Sequence, residues 1–235
     1  METKLTVLCF IKHNFLTPGE CDFLIDYHNT NSDLSNFEQS TDVFESKLKR
    51  SSFHAVIVEP KTEHFLFIKK KIRDALIEYG KYIESIGLYN NLFLSFFQFS
   101  HLYRILKYEE GSKIHPHLDH STGKYGSVTF NLNDDYKGGE FTFFNKKFTP
   151  ELKRGSLMVF PADIYWTHEV LPVTEGTRYS MNTFVQNNPD EINQNLQKNY
   201  IEPQLTNYFN SKDSNEILGP YFKERLSFYK EKTSY

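Results

Sequence analysis

Three of the nine histidines, His115, His117 and His120, crowd one short segment with Asp119 among them. Residues two apart on an extended strand share a face, so His117 and Asp119 can aim an imidazole and a carboxylate at one point. A later strand can bring His168 to the same point. Two imidazoles and one carboxylate on one face of an octahedral metal leave three positions open, the donor set that suits non-haem Fe(II). The same ligands with a bound water also fit a zinc hydrolase, and without chemistry they fit a metal-binding roll that serves as an interaction module.

Arg178 bears on that choice. It is followed by Tyr179 and Ser180, so Arg178 and Ser180 fall on one face of a further extended run. A guanidinium fork beside a hydroxyl suits a carboxylate held bidentately, which a dicarboxylate cosubstrate requires away from the metal. A hydrolase or scaffold leaves that cation without a task. His120 differs from His117 in strand parity or falls in a turn, and His115 and His120 read as rim residues. His13, His28, His54, His64 and His101 have no partner pattern. Trp166, two residues before His168, walls the site or belongs to the core.

The elements that must position these groups are legible in outline. Thr17-Pro18-Gly19-Glu20 is a capping-box pattern with proline at the first helical position, so a helix starts there. Cys21, Leu24, Ile25 and His28 follow at helical spacing and face a strand expected over Lys4–Phe15. Asn29–Ser46 turns polar and reads as a long loop of lid length. Phe65, Ile68, Ile72, Ala75, Leu76, Tyr79, Tyr82, Ile83 and Ile86 recur at three and four, predicting a second helix that Gly87 stops. Lys69–Lys71 with Arg73, and Lys47 with Lys49 and Arg50, read as solvated faces. From Asn91 onward short aromatic and branched runs predict strands over Phe93–Tyr108, Ser127–Asn133, Glu140–Phe144, Ser156–Phe160, His168–Val173 and Arg178–Val185. Helical cover followed by many short strands is an α+β pattern with a closed or double-sheet roll. Beyond Gln186 a helical stripe reappears at Leu218, Tyr221, Phe222, Leu226 and Tyr229, as a C-terminal extension.

Composition excludes several classes. With 39% hydrophobic and 16% aromatic residues against 24% charged, the chain can fill a core and is not disordered as a whole. Its 27 Lys+Arg against 30 Asp+Glu give a formal −3, the wrong sign for a protein that lives on phosphate backbones. No run approaches the roughly 20 apolar residues of a membrane span, and Leu5–Ile11 is too short for a signal peptide. Cys9 and Cys21 are too few for a disulfide framework. A cytoplasmic protein with reduced thiols and no nucleic-acid or membrane partner is expected.

The run Tyr108-Glu109-Glu110-Gly111-Ser112-Lys113-Ile114-His115-Pro116-His117-Leu118-Asp119 resembles the motif Tyr-x-x-Gly-x-x-Tyr-x-x-His-x-Asp of the prolyl 4-hydroxylase-like branch of the Fe(II)/2-oxoglutarate dioxygenases. Leu132-Asn133-Asp134-Asp135 with Gly138-Gly139-Glu140, Lys153–Pro161, His168–Val173 and Gly176-Thr177-Arg178-Tyr179 match further motifs in order, and Phe15–Cys21 resembles the family's entry helix. The resemblance runs from Phe10 to Val185. It implies a double-stranded β-helix, or jelly roll, with a dioxygenase domain over 1–186, made of helical support over 17–87 and a β-roll core over 92–186. The extension over 187–235 then packs on the same domain or on a partner subunit. Fe(II) would sit on His117, Asp119 and His168. 2-Oxoglutarate would chelate it while Arg178, with Ser180 beside it, holds the far carboxylate, O₂ would be the oxidant and ascorbate the reductant. The carboxylate of Asp119, where halogenating relatives carry a small residue, implies hydroxylation. The substrate is a prolyl or other residue in a protein or peptide, or alternatively a free amino acid or other small molecule.

Two positions depart from the motif. Ile114 stands where the family commonly has a cosubstrate-binding Tyr, which leaves Tyr103, Asn131 and Thr183 as candidates for that contact. Phe184 stands where many prolyl hydroxylases carry Trp. The segment His120–Ser127 is short for a loop that grips a peptide, which would leave the mouth open or rely on the polar Asn29–Ser46 segment as a lid.

Overall fold

The computed structural model of the chain describes residues 4–38, 52–88, 96–119 and 124–187. A 3₁₀ turn at Leu5–Leu8 leads into β1 (Phe10–Lys12), α1 (Pro18–Thr30), β2 (Asn36–Glu38), β3 (Phe53–Ile57) and α2 (Glu63–Ser85). Nine further strands make twelve among the described residues: β4 (Phe99–Tyr108), β5 (Ile114–His117), β6 (Lys124–Asn131), β7 (Lys137–Gly138), β8 (Phe141–Phe143), β9 (Leu157–Pro161), β10 (His168–Val170), β11 (Val173–Glu175) and β12 (Arg178–Gln186).

The capping box at the start of α1 forms as expected: Thr17 Oγ1 accepts from the Glu20 amide at 3.3 Å, and the Glu20 carboxylate accepts from the Thr17 amide at 2.9 Å. In α2 the apolar stripe is buried along Phe65, Ile68, Ile72, Ala75, Leu76, Tyr79 and Ile83, each large side chain contributing about 1.5–3 kcal/mol by leaving water. Beyond the helix Gly87 adopts φ +76, the left-handed turn that glycine permits.

Every strand pairing is antiparallel. The large sheet runs β1-β9-β6-β12-β4-β3-β2, and a three-stranded sheet runs β5-β10-β8. The large sheet divides two cores by the alternation of its side chains. Tyr103, Ile105, Val128, Phe130, Leu157, Val159, Met181 and Val185 face α1 and α2. Leu106, Tyr108, Met158 and Phe160 face the small sheet, with Phe141, Phe143, Trp166 and Val170. The result is the two-sheet arrangement of a jelly-roll core with helices on one outer face.

Several expectations are corrected. The strand foreseen over Lys4–Phe15 is cut to three residues, because the hydroxyls of Tyr79 and Tyr82 donate to the carbonyls of Leu8 and Val7 and so draw the entry segment onto α2. The polar stretch from Asn29 is structured at its start, where β2 pairs with β3; residues 39–46 lie outside those described. β3 went unforeseen because it is an apolar run without alternation, with Ala55 and Val56 both buried, as expected of a strand covered on both faces. His168–Val173 is divided at Leu171-Pro172, since proline offers no amide to continue the ladder. The 120–123 part of the short loop, Lys47, Lys49, Arg50, and the C-terminal stripe at 218–229 also lie outside the described residues.

Cys9 and Cys21 are free and buried, and burial pushes the Cys9 thiol up to about 12, which makes it inert as a nucleophile. Among the described residues no helix is long and apolar enough to cross a membrane.

Candidate active site

Strand pairing brings the first three functional side chains together. His117 at the end of β5 stands directly opposite His168 at the start of β10, and their ring centroids are 4.3 Å apart. Asp119 follows two residues after His117 on the same side. His117 Nε2 lies 3.5 Å from Asp119 Oδ1, and His168 Nε2 lies 3.4 Å from Asp119 Oδ2. One donor atom from each residue falls within a 4.8 Å cluster, a size that suits a single metal ion. His168 is buried and the Asp119 side chain is 11% exposed, whereas the His117 side chain is 37% exposed, so the cluster opens on the His117 side.

The surroundings prepare these groups as ligands. His117 Nδ1 is 2.8 Å from the His115 carbonyl and His168 Nδ1 is 2.9 Å from the Trp166 carbonyl. A carbonyl can only accept, so each Nδ1 donates and each Nε2 presents its lone pair to the cluster. Ser127 Oγ donates to Asp119 Oδ2 at 2.6 Å. Burial pushes the Asp119 carboxyl up, but His168, His117 and the Ser127 hydroxyl together hold it well below the usual carboxylate range. Burial pushes His168 down and outweighs Asp119, whereas at His117 burial, the largest single effect, is outweighed by the bond to Asp119, its charge and the His115 carbonyl acting together, which raise it. An ionised carboxylate beside a neutral His168 is a donor set ready for a divalent cation. Phe141 stacks on the His168 ring at 5.0 Å and Phe160 meets it edge-on at 5.1 Å, so apolar surface shields that side. Trp166 is core: its ring packs on Phe143 and Phe144.

A cavity of about 670 Å³ joins the cluster to Arg178, with Tyr108, Ser127, Thr129, Ser180 and Thr183 in its wall. Arg178 is 1% exposed, its guanidinium lies 4.9 Å over the Tyr108 ring, and its Nη1 is 3.5 Å from Ser180 Oγ. Its Nε has no hydrogen-bond partner. A buried cation with an unanswered donor calls for an anion, and a carboxylate entering the cavity supplies one. The Gly138-Gly139 turn makes room for the Arg178 side chain and the Pro172 backbone: a Cβ on Gly139 would stand 3.1 Å from Arg178 Cδ, and one on Gly138 would stand 2.3 Å from the Pro172 carbonyl oxygen.

The three candidates named for the missing tyrosine contact separate. Tyr103 points into the helix-side core, where its hydroxyl meets Ser100 Oγ at 2.8 Å. Asn131 ties down the carbonyls of Asn133 and Leu152 and is absent from the cavity wall. Thr183 lines the cavity, with its hydroxyl directed at the Phe184 carbonyl. The tyrosine beside Arg178 is Tyr108, cross-strand from it in register. Sequence reasoning passed over Tyr108 although it begins the His-x-Asp motif, because its nearness to Arg178 depends on the β4–β12 register. Ser127 was missed because its approach to Asp119 is set by the tertiary fold and not by strand parity, and Ile114 lines the cavity as an apolar wall.

Comparison with known proteins agrees with this geometry. Residues 103–186 match the 2OG-Fe(II) oxygenase superfamily. A solved prolyl hydroxylase from Trichoplax adhaerens, in complex with a hypoxia inducible factor oxygen degradation domain peptide fragment, superposes with a TM-score of 0.58 at 16% identity, over 77% of this chain and 84% of that one. A Pseudomonas putida prolyl-4-hydroxylase gives 0.54 at 18% identity over 76% and 92%, and a viral collagen prolyl hydroxylase from Paramecium Bursaria Chlorella virus-1, in its 2OG complex, gives 0.51 at 17% over 76% and 95%. In sequence, 80 residues are 35% identical to a Caenorhabditis elegans multifunctional procollagen lysine hydroxylase and glycosyltransferase; they make up 34% of this chain and 11% of that protein. Residues 103–186 therefore carry the similarity to the 2OG-Fe(II) oxygenase superfamily, and the fold around them is similar to that of the prolyl hydroxylases.

Proposed function

We propose that the protein is an Fe(II)- and 2-oxoglutarate-dependent hydroxylase, prolyl 4-hydroxylase-like, acting on a prolyl or other residue in a protein or peptide, with residues 1–186 as the dioxygenase unit. The observation that carries this reading is the buried Arg178, with its unpartnered Nε, in the wall of the same cavity as His117, Asp119 and His168. A metal scaffold or a zinc hydrolase has no use for that cation; a dicarboxylate cosubstrate has.

His117, Asp119 and His168 would hold the metal. Arg178, with Ser180 and Tyr108, would receive the far carboxylate of the cosubstrate. Bound there, Fe(II) with 2-oxoglutarate and O₂ supplies oxidative C–H hydroxylation, yielding succinate and CO₂, with ascorbate as reductant. The protein's own part is to bind, orient and exclude water. Asp119 stays ionised and keeps the carboxylate position filled, Ser127 fixes its orientation, and Phe141 and Phe160 keep the His168 side dry. A peptide substrate is supported by the prolyl hydroxylases among the similar structures and by the opening on the His117 side.

The test is an anaerobic titration with Fe(II) and then 2-oxoglutarate, read by the visible charge-transfer band of the chelate. The band is expected in the wild type and weakened in Asp119→Ala and Arg178→Ala. No band, with tight zinc binding in its place, would move the protein to hydrolase or scaffold. Succinate formation stimulated by proline-containing peptides and not by free amino acids separates the peptide reading from the small-molecule one.

A further inference from the structure

The floor of the cavity carries a row of polar groups that the proposed chemistry uses only at its two ends. β6 and β12 lie side by side there, with Ser127 opposite Phe184, Thr129 opposite Asn182 and Asn131 opposite Ser180. Val128, Phe130 and Met181 turn to the helix-side core, so the residues that alternate with them turn to the cavity, and Ser127, Thr129, Ser180 and Asn182 all line it. At one end Ser127 holds Asp119. At the other Ser180 lies beside Arg178. The middle rung, Thr129 with Asn182, stands about 7 Å along the strands from the rung on either side and takes part in neither task.

The neighbours of that rung decide what it offers. On its other side Asn182 stands opposite Arg104 of β4, whose Nε donates to Asn182 Oδ1 at 3.3 Å. A guanidinium has no acceptor, so it takes the carbonyl end of the amide, and the Nδ2 donor is the end that can serve the cavity. Thr129 adds a hydroxyl from a side chain that is 6% exposed. Ile114, which stands where the motif has a tyrosine hydroxyl, lines the same cavity without a polar side-chain atom. Between the metal donors and Arg178 the floor therefore presents an amide N–H and a hydroxyl side by side, both able to donate to one acceptor.

In the proposed function the ligand that spans this stretch is a five-carbon 2-oxo dicarboxylate. Its far carboxylate goes to Arg178 and its 2-oxo acid end to the metal. Chelation through the oxo group and one carboxylate oxygen leaves the other oxygen of that carboxylate without a metal bond. A charged oxygen taken out of water needs a donor, and the middle rung supplies two.

We infer that Thr129 and Asn182, paired across β6 and β12, are a cosubstrate-binding pair that holds the 2-oxo acid end of 2-oxoglutarate by the carboxylate oxygen the metal leaves free, in place of the contact for which Ile114 has no hydroxyl. This inference rests on the hydroxylase reading above.

The experiment titrates the Fe(II)-loaded protein with 2-oxoglutarate in the absence of oxygen and reads both the affinity and the wavelength maximum of the chelate band at saturation. Thr129→Val and Asn182→Leu remove the donor from a side chain of nearly the same shape. Each should raise the dissociation constant about tenfold, the scale of a hydrogen bond to a charged group. Each should also move the maximum to shorter wavelength, because the lost donor no longer stabilises the ligand orbital that receives the electron. Fe(II) affinity should stay as in the wild type, and Thr129→Ser, which keeps the hydroxyl, should keep the wild-type constant and maximum. Wild-type affinity for 2-oxoglutarate in either the valine or the leucine variant, or weaker binding with an unmoved maximum, overturns the inference while the wild-type band upholds the hydroxylase reading. A wild type without the band overturns the hydroxylase reading and this inference with it. A variant that also loses Fe(II) has lost its site, and Thr129→Ala against Thr129→Ser then decides: a raised constant and a moved maximum in alanine alone uphold the pair, and equal values in the two overturn it.

Discussion

His117 and His168 face each other in register across one antiparallel strand pair, and Asp119 closes the triangle at 3.5 and 3.4 Å from their Nε2 atoms. A single ladder pairing therefore sets the geometry of the whole donor set, and the residues that orient it are open to test.

Ser127 holds one oxygen of Asp119 at 2.6 Å. Ser127→Ala should leave the fold intact and weaken Fe(II) binding about tenfold, the lower end of what orienting partners of metal ligands are worth. An anaerobic Fe(II) titration that returns the wild-type affinity would remove Ser127 from this role.

Tyr108 and Tyr103 lie on opposite faces of β4, and only Tyr108 accompanies Arg178. Tyr108→Phe should raise the dissociation constant of 2-oxoglutarate several-fold, as loss of one polar contact to a bound anion does, and leave metal affinity unchanged. Tyr103→Phe should leave both unchanged. A cosubstrate affinity that responds to Tyr103 and not to Tyr108 would reverse the assignment.

Gly138 has φ +70, and a Cβ there would meet the Pro172 carbonyl oxygen at 2.3 Å. Gly111 also has a positive φ, at +82, but faces open space. Gly111→Ala should cost about 1 kcal/mol of backbone strain, whereas Gly138→Ala should cost at least about 2 kcal/mol because backbone must also move. In calorimetry the Gly138 variant should melt several degrees lower. Equal melting temperatures would mean that the turn against Pro172 yields freely.

His28 is buried at 1% exposure with its ring edge-on to Tyr179, and burial lowers its pKa, reinforced by the charge of Lys107. The unfolded chain takes up this proton at about pH 6.5, before the folded one does. Stability from His28 is thus present above that pH and is lost as the pH falls toward the lower folded value. His28→Phe should flatten the dependence of denaturant stability on pH between about 7 and 5. The same slope in both proteins would show that other groups carry it.

The chain's own order of residues determined a good deal. The His-x-Asp pair, the Arg178/Ser180 pair, the capped α1 and the stripe of α2 follow from local rules, because strand parity, helical period and cap chemistry act between residues a few positions apart; His168 enters through the family resemblance. What the linear chain does not contain is register. Tyr108 meets Arg178 and Arg104 meets Asn182 only through pairings between strands that are distant in sequence, and each slip of one residue would send these side chains to the other face of the sheet; Ser127 meets Asp119 from a separate element eight residues on. Tyr103, one of three candidates for the missing tyrosine contact, faces the helix-side core. β3 was invisible because burial on both faces erases alternation, and the entry strand was shortened by hydroxyls on a helix some seventy residues away. Local chemistry chose the residue types, whereas long-range pairing decided which of them share a cavity.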